Sequence, residues 1–424
     1  MKVLLIGGGG REHALGWKIA QSPLLSKLYV DPGNPGLNHI GAPVTRDMAS
    51  PRAIVAFAQE NHVDLVVVGP EAPLADGLGD KLRAAGIACF GPDREPARLE
   101  TLKSFMKEIC AAVGAPTAAY GKFTDANAAK AFLREQTAPY VIKADGLAAG
   151  KGVVIAESLE QADAAVDDML GGQFGDASAE IVIEEFMEGE EASFFVLTDG
   201  SSVLPLIAAQ DHKRAFDGDK GPNTGGMGCY SPAPVFTDAV REKTLTQIIE
   251  PVVGELARRG TPYVGVLYAG LMIKDGEPRL VEFNARFGDP ECQILMRLLK
   301  SDLLPALHAA STGALAGCTL DWSDDAAALV VMAAKGYPGA YEKGSVIRGV
   351  DDANALPGVV VFHAGTKTAG DELCANGGRV LNVTATGADI REAIDRTYAG
   401  VSAIDWPDGF YRRDIGWRAL ERNA

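Results

Sequence analysis

Short apolar runs, each closing near Gly, Pro or Asp, punctuate the first hundred residues at Lys2–Ile6, Lys27–Val30, Leu65–Val68 and Ile87–Phe90. Helical stretches separate them, and strands alternating with helices predict a doubly wound parallel sheet with ligands at the strands' carboxyl ends. A helical stretch from about Glu95 to Val113 then leads to Ala115-Pro116-Thr117, a natural boundary. Residues 117 to about 190 predict strands at Tyr140–Ala144, Gly152–Ala156 and Ile181–Phe186, with helices between them and a loop at Gly171–Gly175. From 191 to about 310 the strands lengthen, at Ala192–Thr198, Val203–Gln210, Gly265–Ile273 and Arg279–Asn284, and a glycine-rich connection runs from Asp217 to Gly228. Beyond about 320 the pattern is mainly strand, at Ala327–Ala333, Ser345–Arg348, Val359–His363 and Arg379–Thr384, before a helix from Asp389 to about Val401. The expected architecture is a multidomain α/β and α+β chain. Residues 1–101 form the N-terminal doubly wound domain, 102–318 a central region with a distinct lobe at about 117–190, and 319–424 a C-terminal, mainly β domain.

Composition narrows the class. At 424 residues the chain is long for a single domain, and 47% hydrophobic with 23% charged residues is ordinary for a soluble protein. A formal charge of −16 argues against a broad nucleic-acid or anionic-membrane surface, while leaving room for a local phosphate pocket. The longest apolar run, Ala326 to Ala334, falls far short of a membrane span. Val3-Leu4-Leu5-Ile6 runs straight into glycines without the cleavage pattern of a signal peptide. The six cysteines are scattered with no Cys-x-x-Cys pair, as expected for reduced thiols in a cytoplasmic enzyme, and no histidine pair has zinc-ligand spacing.

The most informative segment is Leu280–Glu291, which follows an apolar run and the turn-forming Asp275-Gly276 and so predicts the second strand of a hairpin. Glu282 and Asn284 then share a face, and a carboxylate beside a carboxamide is a hard-oxygen surface suited to Mg²⁺ when phosphates complete the shell. Arg286 continues the alternation, and Asp289 and Glu291 follow at the turn. A solvated edge strand is the bland alternative. Gly7-Gly8-Gly9-Gly10-Arg11 opens a helix after the first strand, where backbone amides bind phosphate; a plain tight turn is the other reading. Glu12 stands where the dinucleotide fingerprint needs its last glycine, so a nicotinamide site is only weakly indicated despite Asp31 at the second strand's end. Glu71, after Val68-Gly69-Pro70, either accepts sugar hydroxyls or merely starts a helix.

Lys143 ends a strand and Gly146–Gly152 follows as a glycine loop, but the spacing is not that of a Walker A motif. Lys143 is the better candidate for a direct phosphate contact, and the loop for a flap over a triphosphate. Ile181–Glu185 emerges into the acidic turn Phe186–Glu191, where hinge backbone can pair with adenine and an acid can take ribose hydroxyls. Gln210-Asp211-His212-Lys213-Arg214 ends a strand in charges, and Gly221–Gly228 returns toward them with glycines that allow close approach to an anion.

In this order the segments resemble the ATP-grasp ligases, in which two α+β subdomains clamp ATP. More narrowly, the chain is similar to the phosphoribosylamine–glycine ligase family, the glycinamide ribonucleotide synthetases of de novo purine biosynthesis. The likeness spans essentially the whole chain. It rests on Gly9-Gly10-Arg11-Glu12-His13-Ala14, the Lys143–Gly152 run, Gln210–Arg214, Gly221–Gly228 and Glu282–Glu291, with His363–Thr366 and Asn376–Leu381 matching too. The resemblance implies that Lys103, Lys143 and Gly150 meet ATP phosphates, that Glu184, Glu185 and Phe186 read adenine, and that Glu191 holds ribose. Glu282 and Asn284 would bind Mg²⁺ or Mn²⁺. Gly8, Gly9, Gly10, Arg11 and Glu71 would grip 5-phosphoribosylamine, with Asp211, Asn223, Thr224, Gly225, Gly226, Arg286 and Asp289 at the acyl-transfer centre. The chain departs from the pattern at Gly8, where relatives commonly carry Asn, and at Tyr268-Ala269-Gly270, which lacks the further acidic ligand of many ATP-grasp enzymes.

The implied chemistry uses ATP, glycine and 5-phosphoribosylamine, with no nucleic-acid or membrane partner, in a cytoplasmic monomer. Glycyl phosphate forms first, and the amine then displaces phosphate. Positioning and charge neutralisation suffice for such a transfer, consistent with the absence of a convincing Ser-His-Asp or Cys-His set. A carboxylase or another purine-pathway ligase on the same scaffold is the nearest alternative, and segments 210–228 and 282–291 favour the glycine enzyme. An oxidoreductase and a non-catalytic nucleotide sensor fit the residues less well.

Overall fold

A computed structural model describes residues 1–146, 152–172 and 179–422. The N-terminal sheet is parallel, in the order Ala42–Pro43, Lys27–Pro32, Lys2–Gly7, Leu65–Val68, Ala88–Phe90. Its central strands are buried on both faces, which is why they read as unbroken apolar runs. The order reverses at Lys2–Gly7, so the carboxyl end of that strand opens a crevice where Gly7–Gly10 turns into helix Gly10–Ile19.

The expected helix from Glu95 to Val113 is two helices, Arg94–Thr101 and Lys103–Val113, broken at extended Leu102. Asp145 explains the break. Its carboxylate accepts from the Ser104 amide at 2.6 Å and hydroxyl at 2.8 Å, restarting a helix with its own N-terminal cap. The lobe that follows is an antiparallel sheet ordered Tyr120–Phe123, Ile181–Glu185, Tyr140–Ala144, Val153–Ala156. Helices Ala126–Leu133 and Leu159–Leu170 cover one face, and Leu133, Ile142, Val166, Met169 and Ile183 make a core of its own.

The second central sheet is antiparallel, in the order Val203–Pro205, Glu190–Asp199, Val264–Lys274, Glu277–Asn284. The strand expected at Val203–Gln210 is divided: Val203–Pro205 stays in this sheet, while Gln210–Asp211 joins the next one. Between them the chain crosses from sheet to sheet, anchored by Leu206 to Phe195 and by the Ser193–Ala209 bridge. Residues 220–223, expected within a connection, pair as a strand with Arg214–Phe216.

The third sheet runs Gln210–Asp211, Gly228–Ser231, Ala326–Ala334, Arg379–Gly387, Val359–His363. Ala326–Ala334 is buried throughout and paired on both edges, the reason for the longest apolar run. This sheet joins short strands of the central region to the C-terminal part, and that union positions the site. A hairpin at Thr366–Ala369 and Glu372–Ala375, which periodicity did not foretell, joins Val346–Ile347 of the strand expected at 345–348 in a small separate sheet. Among the described residues no helix is long and apolar enough to cross a membrane.

Candidate active site

At the crevice, the Gly9 amide donates to Glu12 Oε2 at 2.7 Å, and Glu12 Oε1 accepts from Arg11 Nε at 2.6 Å. A Cβ on Gly7 or Gly69 would lie 2.4 or 2.1 Å from the Glu12 side chain, so both glycines make room for this acid. The residue that spoils a dinucleotide fingerprint is therefore the one the loop is built around. Gly8 lies against the Gly33 carbonyl, where a Cβ would approach to 2.4 Å. Gly10 faces Asn382 and Gln293, whose amide nitrogens would sit 2.2 and 2.7 Å from a Cβ. The amide oxygens of both are buried without a hydrogen-bond partner among the described residues, so two acceptors lie beside the glycines.

Arg11 also donates to the Phe287 carbonyl at 3.1 Å, bringing the first loop to the turn after the metal-candidate strand. Arg286 joins the same region. Its guanidinium meets Glu100 at 2.9 Å and Glu71 at 3.4 Å and donates to Asn284 Oδ1 at 3.0 Å. Burial alone would raise the Glu71 carboxyl, but Arg286, aided by a backbone amide and Arg11, holds it below the usual carboxylate range. Asp289 accepts from Gln293 at 2.8 Å and faces Arg379 at 3.4 Å. Arg379, from the third sheet, also donates to the carbonyls of Gly225 at 2.7 Å, Gly226 at 3.3 Å and Asp289 at 2.5 Å. The return loop is tied down further where the Thr224 hydroxyl donates to the Lys213 carbonyl at 2.8 Å. Asn223 ends an exposed strand.

Pairing of Gly270 with Glu282 and Tyr268 with Asn284 puts both metal candidates on one sheet face, as strand alternation predicts. Gly270 gives the Glu282 side chain space: a Cβ there would meet its Cγ at 3.3 Å. Burial works to raise Glu282, yet Lys213, Lys143, Lys103 and Arg286 together hold its pKa below the usual value and keep it ionised. Among the described residues no cluster of three His, Cys, Asp or Glu is placed to hold a metal. A carboxylate and a carboxamide oxygen, ringed by cations suited to phosphates, fit a Mg²⁺ that takes its remaining ligands from a nucleotide.

Lys213 pairs with Glu191 at 2.8 Å, and its charge also faces Asp211 and Glu282. Asp211 is buried, and burial with Glu291, Glu191 and Glu282 nearby outweighs Lys213 to push its pKa to about 7. Glu291 itself is held by the hydroxyls of Ser193 at 3.0 Å and Tyr268 at 2.9 Å.

At the lobe, Glu184 is clasped between Lys143 at 2.7 Å and Lys107 at 3.1 Å, all three buried. Lys103, at the start of its helix, has its pKa lowered by burial, with Glu282 opposing and Lys143 adding to the fall. The Glu185 side chain turns to Arg279 and the Ala119 amide, while Phe186 is 40% exposed at the hinge. Gly150, with most of the flap expected at 146–152, lies outside the described residues.

The structure thus gathers Gly8–Arg11, Glu71, Asn284, Arg286 and Asp289 at one end. It places Glu191, Asp211 and Glu282 around Lys213, and Lys103, Lys143 and Glu184 at the lobe, with Glu282 facing cations of all three groups. Sequence reasoning left Lys107, Lys213, Glu100, Glu291, Gln293, Arg379 and Asn382 unassigned. Lys213, Glu291 and Arg379 sit inside segments already singled out, whereas Glu100 lies in an amphipathic helix with no local signal.

Family models for phosphoribosylglycinamide synthetase match the chain in sequence: the N domain at residues 1–100, the ATP-grasp (A) domain at 101–292 and the C domain at 327–418. A protein of Rhizobium meliloti named phosphoribosylamine–glycine ligase is 59% identical over 424 residues, all of both chains. One of Escherichia coli K12 with the same name is 54% identical over 100% of this chain and 99% of that one. The crystal structure of phosphoribosylamine–glycine ligase from Thermotoga maritima superposes with a TM-score of 0.87 at 32% identity, covering 98% of this chain and 100% of that one. Sheet order, clustered site segments and full-length similarity agree, and the chain belongs to the phosphoribosylamine–glycine ligase family of ATP-grasp enzymes.

Proposed function

We infer that this protein joins glycine to 5-phosphoribosylamine at the expense of ATP, giving glycinamide ribonucleotide, ADP and phosphate in de novo purine biosynthesis. Beyond family membership, the observation that carries the reading is the convergence of Lys103, Lys143, Lys213 and Arg286 on Glu282. Such a cradle balances a triphosphate and a carboxylate nucleophile at one place.

A glycine carboxylate oxygen attacks the γ-phosphorus, the bond to the β-phosphate oxygen breaks, and ADP leaves with glycyl phosphate behind. The amine of phosphoribosylamine then adds to the acyl carbon, its proton is taken up, and phosphate departs. Lys103 and Lys143 hold phosphates, with Glu184 setting the direction of Lys143. The hinge at Glu185 and Phe186 reads adenine and Glu191 takes ribose. Glu282 and Asn284 hold Mg²⁺, or Mn²⁺ with the same preference for hard oxygen, which supplies neutralisation of phosphate charge when bound. Gly8 to Arg11 and Glu71 receive the phosphoribosyl group, with Asn382 and Gln293 offering acceptors beside it. Asp211, whose pKa of about 7 suits proton exchange with an amine, serves the acyl transfer together with Arg286, Asp289 and the Asn223–Gly226 loop. The same reading divides the chain at 1–101, 102–318 and 319–424, with 117–190 as the closing lobe, in a cytoplasmic monomer.

The test is ADP release with MgATP while glycine or freshly generated phosphoribosylamine is omitted, and with alanine in place of glycine. The expected result is release that needs both substrates and is lost with alanine. Release indifferent to glycine would return the substrate to an open question.

A further inference from the structure

The hairpin of Arg214–Phe216 and Lys220–Asn223 stands between two stretches of the site, with Asp211 and Lys213 before it and the Thr224–Gly226 loop after it. It is a separate two-stranded sheet, and its second strand is exposed throughout, so it has little packing of its own. A distant segment, Phe410–Arg418, holds it. Arg412 is 1% exposed, and its Nη1 donates to the Arg214 carbonyl at 3.0 Å and to Asp219 Oδ1 at 2.9 Å. Its Nε and Nη2 grip Asp414 at 2.8 and 2.7 Å, and Asp414 in turn accepts from the Gly218 amide at 2.8 Å. The Arg413 amide donates to Asp217 at 2.8 Å, and Arg418 donates to the second Asp219 oxygen at 2.5 Å.

The segment also reaches the neighbour of Asp211. The Gly416 amide donates to His212 Nε2 at 2.9 Å, which makes Nε2 the unprotonated nitrogen and leaves Nδ1–H facing Asp219 at 3.7 Å. The His212 amide and carbonyl bond to Gly228 and Met227 across the loop's far end, at 2.8 Å each. Ile415 lies against Gly228, where a Cβ would come within 2.7 Å of it.

We propose that Arg412 is a positioning residue for glycine: through Asp219, Asp414 and His212 it holds Asp211, Lys213 and the Thr224–Gly226 loop in the geometry that receives the amino acid. This rests on the functional reading above, which places glycine at that loop. The planar guanidinium bonds in several fixed directions at once, which an ammonium on a flexible stem does not reproduce. None of these contacts runs to Lys103, Lys143 or the Glu184 hinge. The hairpin's link toward the nucleotide is Lys213, which pairs with Glu191, so loosening the hairpin disturbs glycine more than ATP.

The experiment compares Arg412→Met, Arg412→Lys and Arg418→Ala with the unaltered enzyme, by KM for glycine and for ATP and by hydrogen exchange of residues 212–226. In Arg412→Met, KM for glycine should rise ~10-fold or more, with a clearly smaller rise in KM for ATP through Lys213 and Glu191, and exchange should be faster across 212–226. Arg412→Lys and Arg418→Ala should show smaller changes of the same kind. Equal rises in both KM values, or unchanged exchange and unchanged KM for glycine, would overturn the proposal. Should Arg412→Met fail to fold, Arg418→Ala decides by the same criteria, because that guanidinium is partly exposed on the other Asp219 oxygen. An unaltered enzyme releasing ADP without glycine would instead remove the functional reading, while the exchange data still decide whether this segment orders the loop.

Discussion

Single side chains in this site are set by the charges around them. Glu282 stays ionised among Lys103, Lys143, Lys213 and Arg286 despite its burial. Glu282→Gln should lower kcat ~100-fold or more while leaving metal-free ATP binding intact, because the cations proposed to hold phosphate remain. Steady-state rates and calorimetric titration without metal check both halves. Asp211 is the opposite case, with burial and neighbouring acids raising it to about 7. The folded protein then binds a proton there that the unfolded chain, with an ordinary carboxyl near 4, has released. Stability conferred by that proton is present at low pH and is lost as pH rises toward 7. Asp211→Asn should therefore melt above the unaltered protein at pH 8 and gain little at pH 4, while losing ligase activity. Thermal melts across that range read the sign directly.

At the level of elements, glycines decide how closely loops approach one another. A Cβ at Gly8 meets the Gly33 carbonyl, which is backbone, whereas one at Gly10 meets the ends of the Asn382 and Gln293 side chains. Gly8→Ala should cost about 1–3 kcal/mol of stability. Gly10→Ala should cost less stability and raise KM for phosphoribosylamine ~10-fold, since its Cβ presses on the amide nitrogens of Asn382 and Gln293 and shifts both carboxamides. Parallel melts and kinetics separate the pair. The strands were readable because their apolar runs are buried in sheet centres, and the Glu282–Asn284 face followed from simple alternation. The breaks were not readable. Leu102 is extended because Asp145, distant in sequence, caps the next helix, and Val203–Gln210 is divided because the chain changes sheets there. No local pattern encodes either event.

Across the whole molecule, the site depends on side chains that reach it from far along the chain. Arg379 holds the 225–226 loop, and Asn34 donates to the carbonyls of Gly8 and His363, each at 2.9 Å. These partners were invisible to sequence reasoning because the third sheet brings them together only on folding, whereas residue type and spacing singled out Lys143, Glu282 and Asn284 as candidates. One such junction carries a pH signature. His13 accepts from the His363 amide at 2.8 Å, and burial lowers His13 to about 3 and His363 to about 4. The unfolded chain takes up protons at these residues first, so stability is full above about 6.5 and falls as pH drops. By pH 4 the loss from His13 is on the order of 3 kcal/mol. His13→Asn, which keeps an acceptor there without titrating, should flatten the acid limb of the melting curve.

In the proposed function, glycine is activated on this cationic cradle by attack of its own carboxylate on ATP. The most direct measurement supplies glycine labelled with ¹⁸O in both carboxylate oxygens, together with MgATP and phosphoribosylamine, and follows the released phosphate by mass spectrometry. Transfer of one ¹⁸O into phosphate for each ADP formed is the predicted result. Unlabelled phosphate, formed at a rate that ignores glycine, would contradict it.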